Sequence, residues 1–591
     1  MFVLHWLWAI TRKVLNAVAG VIVFLVLATI IIIVVGAIRG DGIASNSVLE
    51  LDLRSAMDDK AAPGLFALGG NKLSIMDVVL GLDAASRDSR VKGILVRVGS
   101  GDLSQPKGEE LRDAFKRFQS AGKFVMAHSQ SFYSGSLGDY IAVSTADQIW
   151  MQPVSTFFGG GESAITPFLK GLFDKIQAEP QFVQRYEYKN AVNMFTESDY
   201  TPAHREATMR LLQSWYDSAV SEAAADRHLD RGALTTVLDQ SPSLAEFVKR
   251  KGLITNIGYE DEARDTARRR AGSGARVVDF ARYRQATRDR GAGFGAPQVA
   301  FIHAAGDIVE GKQNSPLSAA GAGIAGDTYA DAIRAAAADR SVKAILLRID
   351  SPGGSAIASD QILHALKRAH AAGKPIVVSM GSVAASGGYY IAMAADRIVA
   401  EPGTLTGSIG VFLGKFVVAK TGQLIGVDAR DLGVGKNANF NSPVTPWDSA
   451  QLENVNAQAD AVYNDFVANV AGGRKMPASQ IQEVARGRVW TGADAKIHGL
   501  VDELGGFWLA VDDVKRLSGI APQTQVAFKI YPRPRGFFGT VSRLADDSPE
   551  TIQALDRLAA LLDSAPMRLF MRVFGAAPNG TAELKADGLP N

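Results

Sequence analysis

Ser386 stands in Ala384-Ala-Ser-Gly-Gly388, and a second glycine pair lies shortly before it in Asp350-Ser-Pro-Gly-Gly354. A serine that opens a helix sits where the helix dipole and unpaired backbone N–H groups favour negative charge near its oxygen. Gly387 and Gly388 let a substrate backbone approach closely. One N–H from Gly353 or Gly354 and one from Gly387 would make an oxyanion hole. Removing one donor of such a pair costs about 3–4 kcal/mol of transition-state stabilisation. This is acyl-transfer chemistry. Each feature alone has a structural use, since serine is a preferred N-cap and Pro-Gly-Gly is a turn. The serine is not in Gly-x-Ser-x-Gly, so the elbow of the α/β-hydrolases is not the pattern.

A serine nucleophile needs a base. None of the eight histidines is marked for that role: His128 ends the corresponding strand of the wrong half, His303 lies in a predicted strand, and His364 and His370 sit on an outward helix face. A Ser-His-Asp triad stays open, because its members need not be near in the chain. Lysine is the other option, provided burial lowers its pKa from near 10.4 towards neutrality. The absence of cysteine excludes thiol nucleophiles, zinc-thiolate sites and disulfides.

The elements around Ser386 alternate strand and helix. Ala344–Ile349 and Pro375–Ser379 are short apolar runs, as in strands buried on both faces. Ser351–Ser355 reads as a turn, Ser359–Ala371 as a helix, Ala385–Ala395 as a helix entered through a glycine turn, and Arg397–Ala400 as a strand. The class is α/β with largely parallel pairing, and such sheets build their sites at strand ends.

The same order occurs twice. Val91–Arg97 recurs as Val342–Arg348, Ala121-Gly-Lys123 as Ala372-Gly-Lys374, Tyr140-Ile-Ala142 as Tyr390-Ile-Ala392, and Lys189-Asn-Ala191 as Lys436-Asn-Ala438. The offset drifts only from 251 to 247 residues, which means a duplicated domain, far longer than a solenoid repeat. The copies span 47–290 and 297–535, followed by a tail, 536–591, with an amphipathic helix expected near 551–562. In the first copy Gly99-Ser-Gly-Asp-Leu103 replaces the paired glycines, and Ser136 aligns with Ser386 but is followed by Leu137. That copy reads as chemically inert.

Lys+Arg number 63 and Asp+Glu 61, a net charge of +2, which offers no electrostatic case for nucleic acid. Residues 17–38 carry no charge and are long enough to cross a bilayer. The stretch is too long for a signal-peptide core. We therefore expect residues 1–13 in the cytoplasm, a transmembrane helix over 14–38, and both copies outside. Arg12 and Lys13 on the cytoplasmic flank agree with that orientation.

With Asp350-Ser-Pro-Gly-Gly354, Ala384-Ala-Ser-Gly-Gly-Tyr-Tyr390 and Leu405-Thr-Gly-Ser-Ile-Gly410 in this order, the chain resembles the signal peptide peptidase A (protease IV) family of serine–lysine peptidases, family S49, in its long duplicated bacterial form. The resemblance implies two tandem crotonase/Clp-protease-like α/β domains behind one transmembrane helix. It implies Ser386 as nucleophile, Lys189 of Tyr188-Lys-Asn-Ala191 as general base and Ser408 as the residue that orients the lysine. Shorter relatives carry the lysine in the same copy as the serine, about fifty residues on, where this chain has Lys436, so either amine is open and Lys189 is favoured. The resemblance also implies an inner-membrane, periplasm-facing homotetramer that degrades signal peptides and other apolar peptides, without metal or cofactor. The rival readings are a crotonase-like acyl-CoA enzyme and an inactive membrane scaffold.

Overall fold

The computed structural model describes residues 42–60, 73–99, 103–133, 137–288, 292–293, 295–312, 323–532 and 583–585. The apolar segment 14–38, the helix expected near 551–562 and Ser136 lie outside these. Among the described residues no helix is long and apolar enough to cross a membrane.

Each copy is built on a twisted, mainly parallel sheet. In the first, the order is β8 (Asn256–Ile257), β4 (Gln148–Met151), β3 (Phe124–Ser129), β2 (Val91–Val98), β1 (Ser47–Asp52) and β9 (Arg276–Asp279), all parallel. In the second it is β19 (Val489–Thr491), β17 (Leu405–Gly407), β15 (Ile376–Ala385), β13 (Val342–Ser351), β10 (Gln298–Ala305) and β21 (Ala527–Tyr531), with β16 (Arg397–Ala400) on β15 and β20 (Glu503–Leu504) on β16. A small ribbon, β5 (Thr156–Phe157) with β7 (Ser243–Leu244), accompanies the first sheet.

Side chains alternate between the faces of the second sheet, as strand geometry requires. Val299, Phe301, Ala344, Leu346 and Val377 join a core shared with the first copy and with the helix Phe507–Leu517. Their neighbours Ala300, Ile302, Ile345, Leu347 and Val378 pack in a second core with the helices Ala356–Ala371 and Ser449–Arg474. The two copies thus share one apolar interior.

A third sheet joins the copies: β12 (Ile324–Ala325), β11 (Ile308–Val309), β14 (Gly353–Ser355), β22 (Glu583–Lys585), β18 (Val411–Val417) and β6 (Glu179–Arg185). β6 comes from the first copy and runs antiparallel along β18, from Arg185 opposite Val411 to Glu179 opposite Val417.

Two local expectations change. Gly353–Ser355 is a strand and not only a turn, because its backbone pairs with β11 and β22. β15 continues to Ala385, since its first half pairs with β16 and its second half, Val383–Ala385, with β17.

The repeat is visible in hydrogen bonds. Tyr140 donates to the Leu253 carbonyl and Tyr389 to the Leu500 carbonyl, both at 2.8 Å. Lys123 holds the carbonyls of Asp88 and Val91, and Lys374 those of Asp339 and Val342. The helices Pro202–Arg227 and Ser449–Arg474 both end in a left-handed residue, His228 and Lys475. Tyr140 therefore corresponds to Tyr389, not Tyr390. The residue matching Ser386 in the first copy is then Leu137, not Ser136: both immediately precede the short helices Gly138–Val143 and Gly387–Ile391.

Candidate active site

β15 ends at Ala385 and the chain turns at Ser386 into the helix Gly387–Ile391. Ser386 has φ 55° and ψ −117°, a backbone state that costs a non-glycine residue about 1–3 kcal/mol and persists only where the surroundings impose it. Here the Ser386 N–H donates to the Gly407 carbonyl at 2.8 Å, fixing the turn to β17. The side chain makes no N-cap bond, so the capping role open to a serine here is not the one it takes. Its Oγ lies 2.9 Å from Nζ of Lys189.

That amine belongs to the first copy. β6 carries the chain along β18, and residues 186–189 then fold into the second copy, with the Tyr188 N–H on the Arg486 carbonyl at 3.2 Å. Lys189 Nζ also lies 2.9 Å from Ser408 Oγ and 3.1 Å from the Ser408 carbonyl. Ser386, Lys189 and Ser408 are 0%, 1% and 1% exposed. A lysine this deeply withdrawn from water is favoured in its uncharged form by the general cost of burying an ammonium. Lys436 is exposed, within a run, residues 423–438, that is exposed throughout. The structure brings Lys189, and not Lys436, to the serine.

The glycines crowd one another around the hydroxyl. A Cβ on Gly387 would lie 3.3 Å from Gly353 Cα and from Gly354 N, and 2.7 Å from Ser359 Oγ. Gly353 and Gly354 have φ 110° and 148°, open to glycine and strained for other residues. The Gly353 N–H already donates to Ser351 Oγ at 3.2 Å. Desolvation raises the Asp350 carboxyl to about 6, against the bond it accepts from the Val383 N–H at 3.0 Å. Asp350 thereby ties the end of β13 to the stretch of β15 that leads to Ser386.

Sequence reasoning missed the residues that hold Lys189 in place. Gly487, at φ 82°, packs so tightly that a Cβ there would come within 2.5–2.7 Å of Lys189 N, Cβ and Cα. Arg488 lies over the rings of Tyr188 (4.9 Å) and Trp490 (4.2 Å) and pairs with Glu206 at 2.8 Å. Arg486 pairs with Glu187 at 2.9 Å. The one available signal was Arg486-Gly-Arg488 beside aromatic residues, which names no partner.

With this geometry, the chain can be set beside known proteins. The model of "Peptidase family S49" matches residues 117–273 and 368–521, one segment in each copy. The chain is 32% identical over 501 residues to "Serine protease SPPA, chloroplastic" of Arabidopsis thaliana, covering 83% of this chain and 72% of that protein. It is 31% identical over 546 residues to "Protease 4" of Salmonella typhi, covering 87% and 85%. Among solved structures, a membrane-bound stomatin-specific protease with a substrate peptide is matched at 18% identity and a TM-score of 0.24, over 42% of this chain and 99% of that one.

Proposed function

Because this chain belongs to peptidase family S49 and is a serine peptidase of that family, we propose that it is a membrane-anchored endopeptidase in which Ser386 and Lys189 form a catalytic dyad. Its proposed substrates are cleaved signal peptides and other apolar peptides. The carrying observation is the 2.9 Å approach of Lys189 Nζ to Ser386 Oγ.

Uncharged Lys189 takes the proton of the Ser386 hydroxyl as Oγ attacks the scissile carbonyl. The N–H groups of Gly387 and of the Gly353-Gly354 pair face the developing oxyanion. Lys189 then protonates the leaving amine, and water hydrolyses the ester with Lys189 again as base. Ser408, bonded through Oγ and its carbonyl, aims the amine at the serine. An extended peptide suits the place because β14 and β18 flank it, and strand addition at such edges binds peptide backbones. The uncharged segment 17–38 supports the anchor, and with it an inner-membrane location with both copies in the periplasm. A homotetramer completes the reading on the family resemblance.

A fluorophosphonate probe tests the dyad. Labelling at Ser386, lost in Ser386→Ala together with hydrolysis of apolar peptides, is the expected result. Undiminished peptide turnover by Ser386→Ala sinks it.

A further inference from the structure

β22, Glu583–Lys585, lies between β14 and β18, the two strands that flank Ser386 and Lys189. It runs antiparallel to β14 with Ser355 opposite Glu583, Gly354 opposite Leu584 and Gly353 opposite Lys585, and Glu583 also faces Phe412 of β18. The direction matters. Gly353 is the end of β14 that abuts Gly387, the residue after Ser386. Read from N to C terminus, the tail strand thus advances towards the serine, and its backbone lies where a peptide added to β14 would lie.

We propose that the protein's own tail is a substrate of its active site: Glu583–Lys585 occupies the substrate strand, the bond after Lys585 is cleaved within the same molecule, and the trimmed end stays as a product-like inhibitor. This rests on the dyad reading above. Ser386 Oγ bonds to the Lys585 carbonyl carbon while its proton passes to Lys189. The C–N bond to Ala586 breaks, and the departing nitrogen receives that proton. Water then adds to the ester carbonyl, gives a proton to Lys189, and the proton returns to Ser386 Oγ as the ester breaks. The products are a carboxylate at Lys585 and the free peptide Ala586–Asn591. A strand tethered to its own site competes at an effective concentration on the order of millimolar, so even a weakly bound tail fills the site in most molecules.

The test uses the full chain and three variants: Ser386→Ala, a chain ending at Gly580, and Leu584→Pro, which removes a ladder donor without shortening the tail. Intact-mass measurements should show wild type losing 586–591 at a rate independent of protein concentration, and Ser386→Ala keeping them. For an added apolar peptide, the shortened chain and Leu584→Pro should show KM lower by about tenfold. A synthetic Thr581–Lys585 peptide should inhibit the shortened chain competitively. If wild type keeps its last residues, or KM is unchanged in both tail variants while peptide is turned over, the tail proposal fails and the dyad stands. A trimming rate that rises with protein concentration assigns the tail to another molecule and also overturns it. If neither the full nor the shortened chain cleaves peptide or takes the probe, the dyad itself has failed.

Discussion

The turn after β3 and the turn after β15 are the same place in two copies of one fold. In the first copy Leu137 occupies it with φ −77° and ψ −1°, relaxed helical values. In the second Ser386 occupies it with φ 55° and ψ −117°. The supporting hydrogen bonds of Tyr140 and Tyr389 agree in length, so the scaffold is common to both. What differs is the small set of residues that strain the turn and open a space beside it. A duplicated framework can therefore keep its packing while one copy gives up the nucleophile and lends an amine to the other.

The contrast breaks most sharply at the two lysines. Lys189→Ala should reduce kcat/KM for an apolar peptide by on the order of 10⁴-fold or more, the scale seen when one member of a catalytic unit is removed. Lys436→Ala should stay within about twofold, as for a surface substitution away from the site. The reverse result would move the base into the second copy. Next comes the seat of Lys189. Gly487→Ala must strain a φ of 82° and push on the Lys189 backbone, and a misplacement of about 1 Å costs on the order of 10²-fold in kcat. Unchanged kcat in a folded Gly487→Ala protein would show that the clamp does not position the amine.

Ser408→Ala removes one of two bonds from this residue to Lys189 Nζ, and a hydrogen bond to a group that becomes charged is worth about 1.5–3 kcal/mol. A fall in kcat of roughly ten- to a hundredfold, with KM little altered, is the expected outcome. Loss of KM alone would assign Ser408 to substrate binding.

The smallest effect concerns the seam between the copies. Glu109 accepts the Gly403 N–H at 2.7 Å, and Glu222 and Glu401 are buried nearby. Burial, with neighbouring carboxylates, raises Glu109 and Glu401 well above 4.5, and burial raises Glu222 to about 7. The folded protein therefore holds protons that the unfolded chain has released, so these groups weaken the fold as pH rises from about 4.5 through 7. Glu401→Gln should raise the melting temperature more at pH 8 than at pH 5. An equal shift at both pH values would contradict this.

Much of the second copy was legible in sequence. The apolar runs at Ala344–Ile349 and Arg397–Ala400 can only be buried strands in this setting, and the glycines beside Ser386 show where backbone must come close. The pairing of Tyr140 with Tyr390 slipped by one residue because the identical Tyr-Ile-Ala triplets outweighed the hydroxyl contact that fixes the true match. The seat of Lys189 was not legible. β6 meets β18, and Gly487 meets Lys189, across hundreds of residues, and such contacts leave no local periodicity. The strand at Gly353–Ser355 was hidden too, since glycines carry no side-chain pattern and only the partner strands define it.

The β6–β18 ladder has a consequence for biosynthesis. A chain emerging from the ribosome exposes its amine long before the alcohol, and the glycine that seats the amine comes later still. Until the later half has folded and received that strand, the proposed proteolytic centre does not exist. A truncated or half-made product is thus harmless to its neighbours by construction, and hydrolytic power arrives only with the finished fold.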